Sequence, residues 1–265
     1  MRTLALVSSI LIAGALPALA ADLPVKARPM APVAMAYNWT GCYVGGNVGG
    51  KWARTDDTVT IGPVVGNAGA TVAFARETAS TLIGGGQVGC NWQAPGSNWV
   101  LGVEGDADWQ RWSTNRVLAV TVPPFVAGDS FGVRSDWQAS ARGRLGYAWD
   151  RWMLYVTGGA AFTNVKASAN FPVFVGAVTF PATFAEDSKT IWGPTFGGGF
   201  EYAFTNNWSF GVEARYAWNG NQTFNGGVVA SVPAVGGGFL FAPVTQTMRI
   251  ETFQATARLN FKLFP

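Results

Sequence analysis

Trp99-Val100-Leu101-Gly102-Val103-Glu104-Gly105-Asp106-Ala107-Asp108-Trp109-Gln110 decides the fold, because alternate residues belong to different surroundings. Trp99, Leu101, Val103, Gly105, Ala107 and Trp109 share one parity; Val100, Gly102, Glu104, Asp106, Asp108 and Gln110 share the other. A period of two is the signature of a strand with two unlike faces. Here one face is lipid-like and the other acidic. Between Trp99 and Trp109 the chain climbs roughly 25 Å, taking ~3.3 Å per residue and a tilt near ~45°. That is the height of a membrane barrel's apolar band, and Trp collects where headgroups meet hydrocarbon.

The pattern recurs outward from this strand. In residues 133–147, Trp137, Ala139, Ala141, Gly143, Leu145 and Tyr147 alternate with Asp136, Gln138, Ser140, Arg142 and Arg144, so the polar face is now basic. Further strands are expected at 39–52, 81–92, 152–166, 190–204, 208–218 and 247–264, making eight with these two. Three connections are short and rich in turn formers: 93–98 with Pro95-Gly96, 149–151 with Asp150, and Thr205-Asn206-Asn207. Four are long, 53–80, 113–132, 167–189 and 219–246. Strict short/long alternation is the outer-membrane arrangement, with short turns periplasmic and long loops outside. The long loops hold β-prone apolar segments at 59–65, 117–126, 171–184 and 228–244, some split around Gly66-Asn67-Ala68-Gly69 or Gly236-Gly237-Gly238. They read as hairpins that continue the barrel above the membrane.

The twelve tryptophans fall into two alternating clusters. Trp39, Trp92, Trp99, Trp149, Trp152 and Trp208 lie beside short turns, and Trp52, Trp109, Trp112, Trp137, Trp192 and Trp218 beside long loops. Two aromatic girdles are expected from them. A secreted carrier barrel would show the same alternation inside out, with apolar groups in the lumen. Tryptophans crowding the strand ends, apolar faces too bulky for an eight-stranded interior, and long loops on one side all favour the membrane barrel.

Composition agrees. Only 12% of residues are charged, against about 25% in soluble domains, and no later run is apolar enough for a transmembrane helix. The net charge of +3 is spread without a basic run, so nucleic acid is not indicated. Arg2, the apolar stretch 4–15 and Ala18-Leu19-Ala20 are the three parts of a secretory signal. The expected organisation is a cleaved signal peptide at 1–20, an extended periplasmic arm at 21–38 carrying Pro24, Pro29 and Pro32, and the barrel at 39–265.

Several segments resemble a known family. The run Asn38-Trp39-Thr40-Gly41-Cys42-Tyr43-Val44-Gly45-Gly46-Asn47-Val48-Gly49 is similar to the first strand of the alphaproteobacterial small outer-membrane surface antigens, porin-like barrels with the eight-stranded fold of the OmpA membrane domain. Further matches are 84–93, Arg142-Gly143-Arg144-Leu145-Gly146-Tyr147-Ala148, Tyr155-Val156-Thr157-Gly158-Gly159-Ala160 and Gly197-Gly198-Gly199-Phe200-Glu201-Tyr202. The resemblance covers nearly all strands and little of the loops. It implies an envelope protein exposed at the cell surface and assembled by the barrel-assembly machinery. Two departures stand out: aromatics are usual where Cys42 and Cys90 stand, and the outward parity Leu259, Phe261, Leu263 leaves Phe264-Pro265 out of step.

Inward parity collects Lys51, Glu104, Asp106, Asp108, Arg142, Arg144, Glu201, Glu213, Arg215, Arg258 and Lys262. Eight strands leave a bore just wide enough for side chains to fill. Charges sealed there must be paired, so a lumen ion-pair network is expected; a narrow ion path is the alternative. Cys42 and Cys90 both sit just inside the periplasmic ends of strands one and two, on outward parity. They form either a cross-strand disulfide, which the oxidising periplasm permits, or two small lipid-facing residues.

Catalysis has few materials: a carboxylate-only site among Glu104, Asp106 and Asp108 is the one alternative to a strand face held against arginines. The chain contains no histidine, so Ser-His-Asp triads, Cys-His pairs and histidine metal sites cannot be built. Gly84, Gly86 and Gly89 match a dinucleotide fingerprint with Glu104 near its acidic position, but 91–96 leads into a turn rather than a helix. Asn38-Trp39-Thr40 and Asn207-Trp208-Ser209 match glycosylation acceptors only at barrel edges. The reading is a monomeric, non-enzymatic outer-membrane barrel without cofactor, touching lipid and lipopolysaccharide, its external partner unknown. The alternatives are a small-solute or ion channel, and haem or adhesin binding through Phe171, Phe174, Phe239 and Phe241.

Overall fold

The computed structural model describes residues 37–63, 69–119, 128–175, 178–183, 187–232 and 238–263. The expected signal peptide, most of the arm and Phe264-Pro265 lie outside the described residues, as do the glycine-rich tips at 64–68 and 233–237. Phe171, Phe174, Phe239 and Phe241 are described only in backbone.

The alternating segments form long strands: β1 (Gly41–Ile61), β2 (Ala70–Gln93), β3 (Trp99–Val117), β4 (Ser130–Trp149), β5 (Trp152–Val175), β6 (Val178–Thr183), β7 (Asp187–Ala203), β8 (Trp208–Val232) and β9 (Gly238–Lys262). Leaving β6 aside, each pairs antiparallel with both neighbours, and β9 returns to β1 from Tyr43↔Lys262 to Ile61↔Val244. The result is the expected closed eight-stranded up-and-down barrel. β6 is an addition that folds back on the far end of β5. Among the described residues there is no helix, so Gly84, Gly86 and Gly89 lie within β2.

Short connections close the periplasmic end. Asp150 turns the chain at φ 55° between Trp149 and Trp152, a left-handed conformation that Asp tolerates better than most residues. Gly96, at φ 72°, does the same after Pro95.

At the other end the strands run well past the expected boundaries. The expected loops are largely strand: β1 and β2 stay paired to Ile61↔Ala70, β3 and β4 to Val117↔Ser130, β8 and β9 to Val232↔Gly238. The barrel does not continue as a full ring, however. The β2–β3 ladder begins only at Ile83↔Gln110, and the β7–β8 ladder stops at Thr195↔Ala217. Beyond those pairs, β8-β9-β1-β2 and β3-β4-β5-β7 are two separate sheets. Register shifts fall near this level, at Thr55/Asp57, Trp109/Trp112, Arg134/Gln138 and Trp218/Asn221, as bulges do where a sheet must bend.

Inward side chains stack in layers along the bore. At the periplasmic mouth Trp39, Val100, Ala148, Met153, Tyr155 and Ala203 cluster. Charged residues fill the middle. Outward of these, Ala53, Trp112, Val133, Val165, Ile191, Phe224 and Met248 form one apolar cluster, and Val59, Ile61, Leu118, Phe131 and Val244 another. The extension thus has a core of soluble-protein kind between two sheets.

Glycine makes room where aromatic rings enter the bore. A Cβ on Gly89 would lie 2.5 Å from the Tyr43 hydroxyl, and one on Gly199 2.7 Å from that of Tyr155.

Candidate functional site: the sealed lumen

The polar layer is built by register. Glu104 on β3 stands opposite Arg142 on β4, Asp106 opposite Ser140 and Asp108 opposite Gln138, so the acidic strand and the basic strand are hydrogen-bonded neighbours. Arg142 then spans the bore: it binds Glu104, reaches Asp106 at 2.7 Å and donates to Glu213 on β8 at 2.7 Å. Arg258 on β9 joins Glu104 and, at 2.5 Å, Glu213. Arg215 holds Asp106 at 2.6 Å and Asp108 at 3.4 Å. Arg144 holds Glu104 at 3.1 Å and Glu201 at 3.0 Å, and its guanidinium lies 3.9 Å from the centre of the Tyr155 ring.

All of these groups are buried. Neutral residues outside the expected charged set complete the network. Tyr43 donates to Glu104, Tyr155 to Glu213 at 3.1 Å, Ser140 to Asp106 at 2.6 Å and Asn260 to Glu201 at 2.9 Å. For Tyr43, Ser140 and Asn260 the signal was available, since they share the inward parity of Lys51, Arg142 and Arg258 on their own strands; β5 carries no such charge, and Tyr155 follows only from alternation with the outward Trp152. The void among Asn47, Gln87, Asp106, Arg142, Arg215 and Arg258 measures about 10 Å³, at the lower limit for one water.

Two lysines depart from the expected network. Lys51 is buried but donates to the Gln138 amide oxygen, and no carboxylate lies within 4 Å of its ammonium among the described residues. It sits one step outward of the arginine layer, where Gln138 relays to Asp108 at 2.8 Å. Lys262 lies at the periplasmic mouth, donating to the Asn38 carbonyl at 2.7 Å and facing the Tyr37 ring.

Ten tryptophans are exposed on the outer face: Trp92, Trp99, Trp149, Trp152 and Trp208 toward the turn end, and Trp52, Trp109, Trp137, Trp192 and Trp218 toward the hairpin end. Trp39 and Trp112 do not join them. Trp112, three residues past Trp109, takes the opposite parity and is only 2% exposed, inside the outer cluster. Trp39 precedes β1 and folds into the mouth, its indole N–H donating to the Asp150 carbonyl at 3.1 Å. Cys42 and Cys90 face each other in the β1–β2 register and are joined by a disulfide.

Above the tryptophans, Asp57 points inward and accepts from the Gln246 amide at 2.7 Å. Burial raises its pKa above the ordinary carboxylate range, more than the Gln246 hydrogen bond lowers it.

An apolar outer face, a charged and filled bore and a cyclic antiparallel ladder define a membrane-spanning β-barrel. The family model described as outer membrane protein beta-barrel domain matches residues 8–232, and the chain belongs to that family. It is 33% identical over 213 residues to the 31 kDa outer-membrane immunogenic protein of Brucella melitensis, covering 75% of this chain and 80% of the relative. It is 28% identical over 228 residues to the 25 kDa outer-membrane immunogenic protein of Brucella abortus, with coverage of 85% and 88%. Against the 22 kDa outer membrane protein of Rhizobium leguminosarum the identity is 32% over 193 residues, covering 70% and 67%. The protein is thus an outer-membrane barrel, as the resemblance of its strands implied.

Proposed function

We propose that the protein is a non-enzymatic, non-conducting barrel that serves envelope integrity and presents a rigid surface to the outside. One observation carries this reading: guanidinium and carboxylate groups pair within and across the bore around a pocket of about 10 Å³, between apolar clusters toward both ends. A hydrated ion crossing such a bore would have to displace charges that already satisfy one another. The two levels of exposed tryptophan act as girdles that hold the barrel at its depth. The folded extension supplies the outer surface, in keeping with the immunogenic naming of the Brucella relatives. Residues 1–20 act as the export signal, the barrel-assembly machinery inserts the chain, and it works as a monomer.

Planar-bilayer recording tests the reading. The expected trace stays at leak over both polarities; steady unitary steps from the purified, heat-modifiable protein would overturn it in favour of a small-solute channel.

A further inference from the structure

On the outer face of β2, β1, β9 and β8, just outward of the Trp52 and Phe253 pair, lies a groove of about 320 Å³ lined by Trp52, Arg54, Thr78, Tyr216, Glu251 and Phe253. Its size is that of a small-molecule site, about 300 to 1,000 Å³. Three arginines stand around it, and two are neutralised. Arg76 holds Asp56 at 2.8 Å, and Arg249 holds one oxygen of Glu251 at 2.8 Å while the Tyr216 hydroxyl donates to the other at 2.8 Å. Arg54 stands between Thr78 and Glu251 in register. Among the described residues it has no carboxylate within 4 Å, so its charge is uncommitted.

The height of the groove matters as much as its charge. The Trp52 and Phe253 rings lie tilted against each other, 5.7 Å between centres, at the outer tryptophan level, where Trp marks the edge of the hydrocarbon, and Arg54 lies two residues farther out, roughly 5 to 7 Å along a tilted strand. Headgroup phosphates sit at that height.

We propose that this groove binds the phosphorylated headgroup of an outer-leaflet glycolipid. Arg54 grips the phosphate through a charge-assisted, bidentate contact. The Trp52 and Phe253 rings take the apolar face of the sugar and the start of an acyl chain. Thr78 and Tyr216 border the sugar, and the engaged Glu251 closes the groove without repelling the phosphate, because Arg249 balances its charge. The proposal rests on the reading that the tryptophan-bearing face is covered by lipid and that the hairpin end lies outside.

Native mass spectrometry of the protein purified from outer membranes in detergent tests it, with bisphosphorylated lipid A as probe. One copy should be retained, and Arg54→Gln should weaken retention about tenfold. Dephosphorylated lipid A should bind the parent protein as weakly as that variant binds the phosphorylated form, and lose nothing more in the variant. Arg134→Gln, which removes an exposed arginine paired with Asp136 on the other sheet, should change nothing. Equal retention by Arg54→Gln, equal retention of dephosphorylated lipid A, equal retention of phosphatidylglycerol or an equal loss in Arg134→Gln would each overturn the site. Heat-modifiable migration of every variant, read in parallel, separates loss of the site from loss of the barrel, and accessibility labelling of Leu101 and Val103 tests the lipid-covered face independently.

Discussion

Arg142 reaches across the bore to Glu213, 71 residues later in the chain, and closes the contact at 2.7 Å. The same guanidinium serves Glu104 and Asp106 on the neighbouring strand, so one side chain ties opposite walls of the barrel. Removing it would leave three buried carboxylates with fewer partners. Breaking a buried network from one side costs about 3 to 5 kcal/mol, more than the pairs contribute when intact. Arg142→Met should therefore lower the temperature at which the folded band converts to the unfolded band on gels. Adding Glu213→Gln should recover part of the loss, since one unpaired charge disappears with its partner; a double variant as weak as the summed singles would show that the two do not act together.

The same logic limits what lumen substitutions do to transport. Losing both Arg142 and Arg144 should destabilise the barrel and leave bilayer conductance low, because Tyr43, Tyr155, Arg215 and Arg258 still fill the bore. A large rise in single-channel current would instead favour a gated pore.

Asp57 gives the extracellular extension a pH dependence of definite sign. Its folded pKa is raised by burial, so the folded state holds the proton more tightly than the unfolded chain, whose value is about 3.9. Stability from this group is full below that unfolded value and declines as pH rises through the folded one. Protection factors along β1 and β9 beyond the tryptophan level, corrected for the intrinsic rate at each pH, should be larger at pH 4 than at pH 8. Asp57→Asn should flatten the difference; an unchanged pH profile in that variant would assign the effect elsewhere.

How much of this was legible from residues alone is clearest at Trp109 and Trp112. Alternation across residues 99–110 was strong enough to set the strand, its faces and its neighbour, and the charges of the bore followed from parity. Nearness to the 113–132 loop puts Trp112 with the outward tryptophans, but counting by twos from Trp109 turns it inward. Trp39 escapes parity for another reason: it lies before the first ladder pair, where alternation has no meaning and the Asp150 carbonyl captures its indole. The opening of the ring into two sheets was not legible. It depends on which long-range ladders stop, β2–β3 and β7–β8, and no local pattern records where a neighbouring strand ceases to pair.

These positions predict opposite outcomes for two tryptophans three residues apart. Trp112→Ala empties a packed site inside the outer cluster and should cost about 3 to 5 kcal/mol, seen as early proteolysis of the extension. Trp109→Ala removes a ring that is 74% exposed and should leave detergent stability nearly unchanged. Equal destabilisation by both would contradict the burial assigned to Trp112.

The disulfide between Cys42 and Cys90 closes a segment with a sequence separation of 48. In the chain-entropy account, a link of that span restricts the unfolded chain by about 4 kcal/mol, with native strain subtracting from it. Its position gives it a second consequence. Cys42 and Cys90 lie at the turn end of β1 and β2, far from the loop that joins these strands, so the bond fixes their register at the end where local chain connectivity cannot. A strand slipped by one residue would turn Lys51 and Tyr43 toward lipid. Replacing both cysteines by serine should therefore lower the yield of heat-modifiable barrel more than it lowers the stability of the barrel that does form. The parent protein, denatured without reductant, should take up no thiol label; labelling of two thiols under those conditions would refute the bond itself.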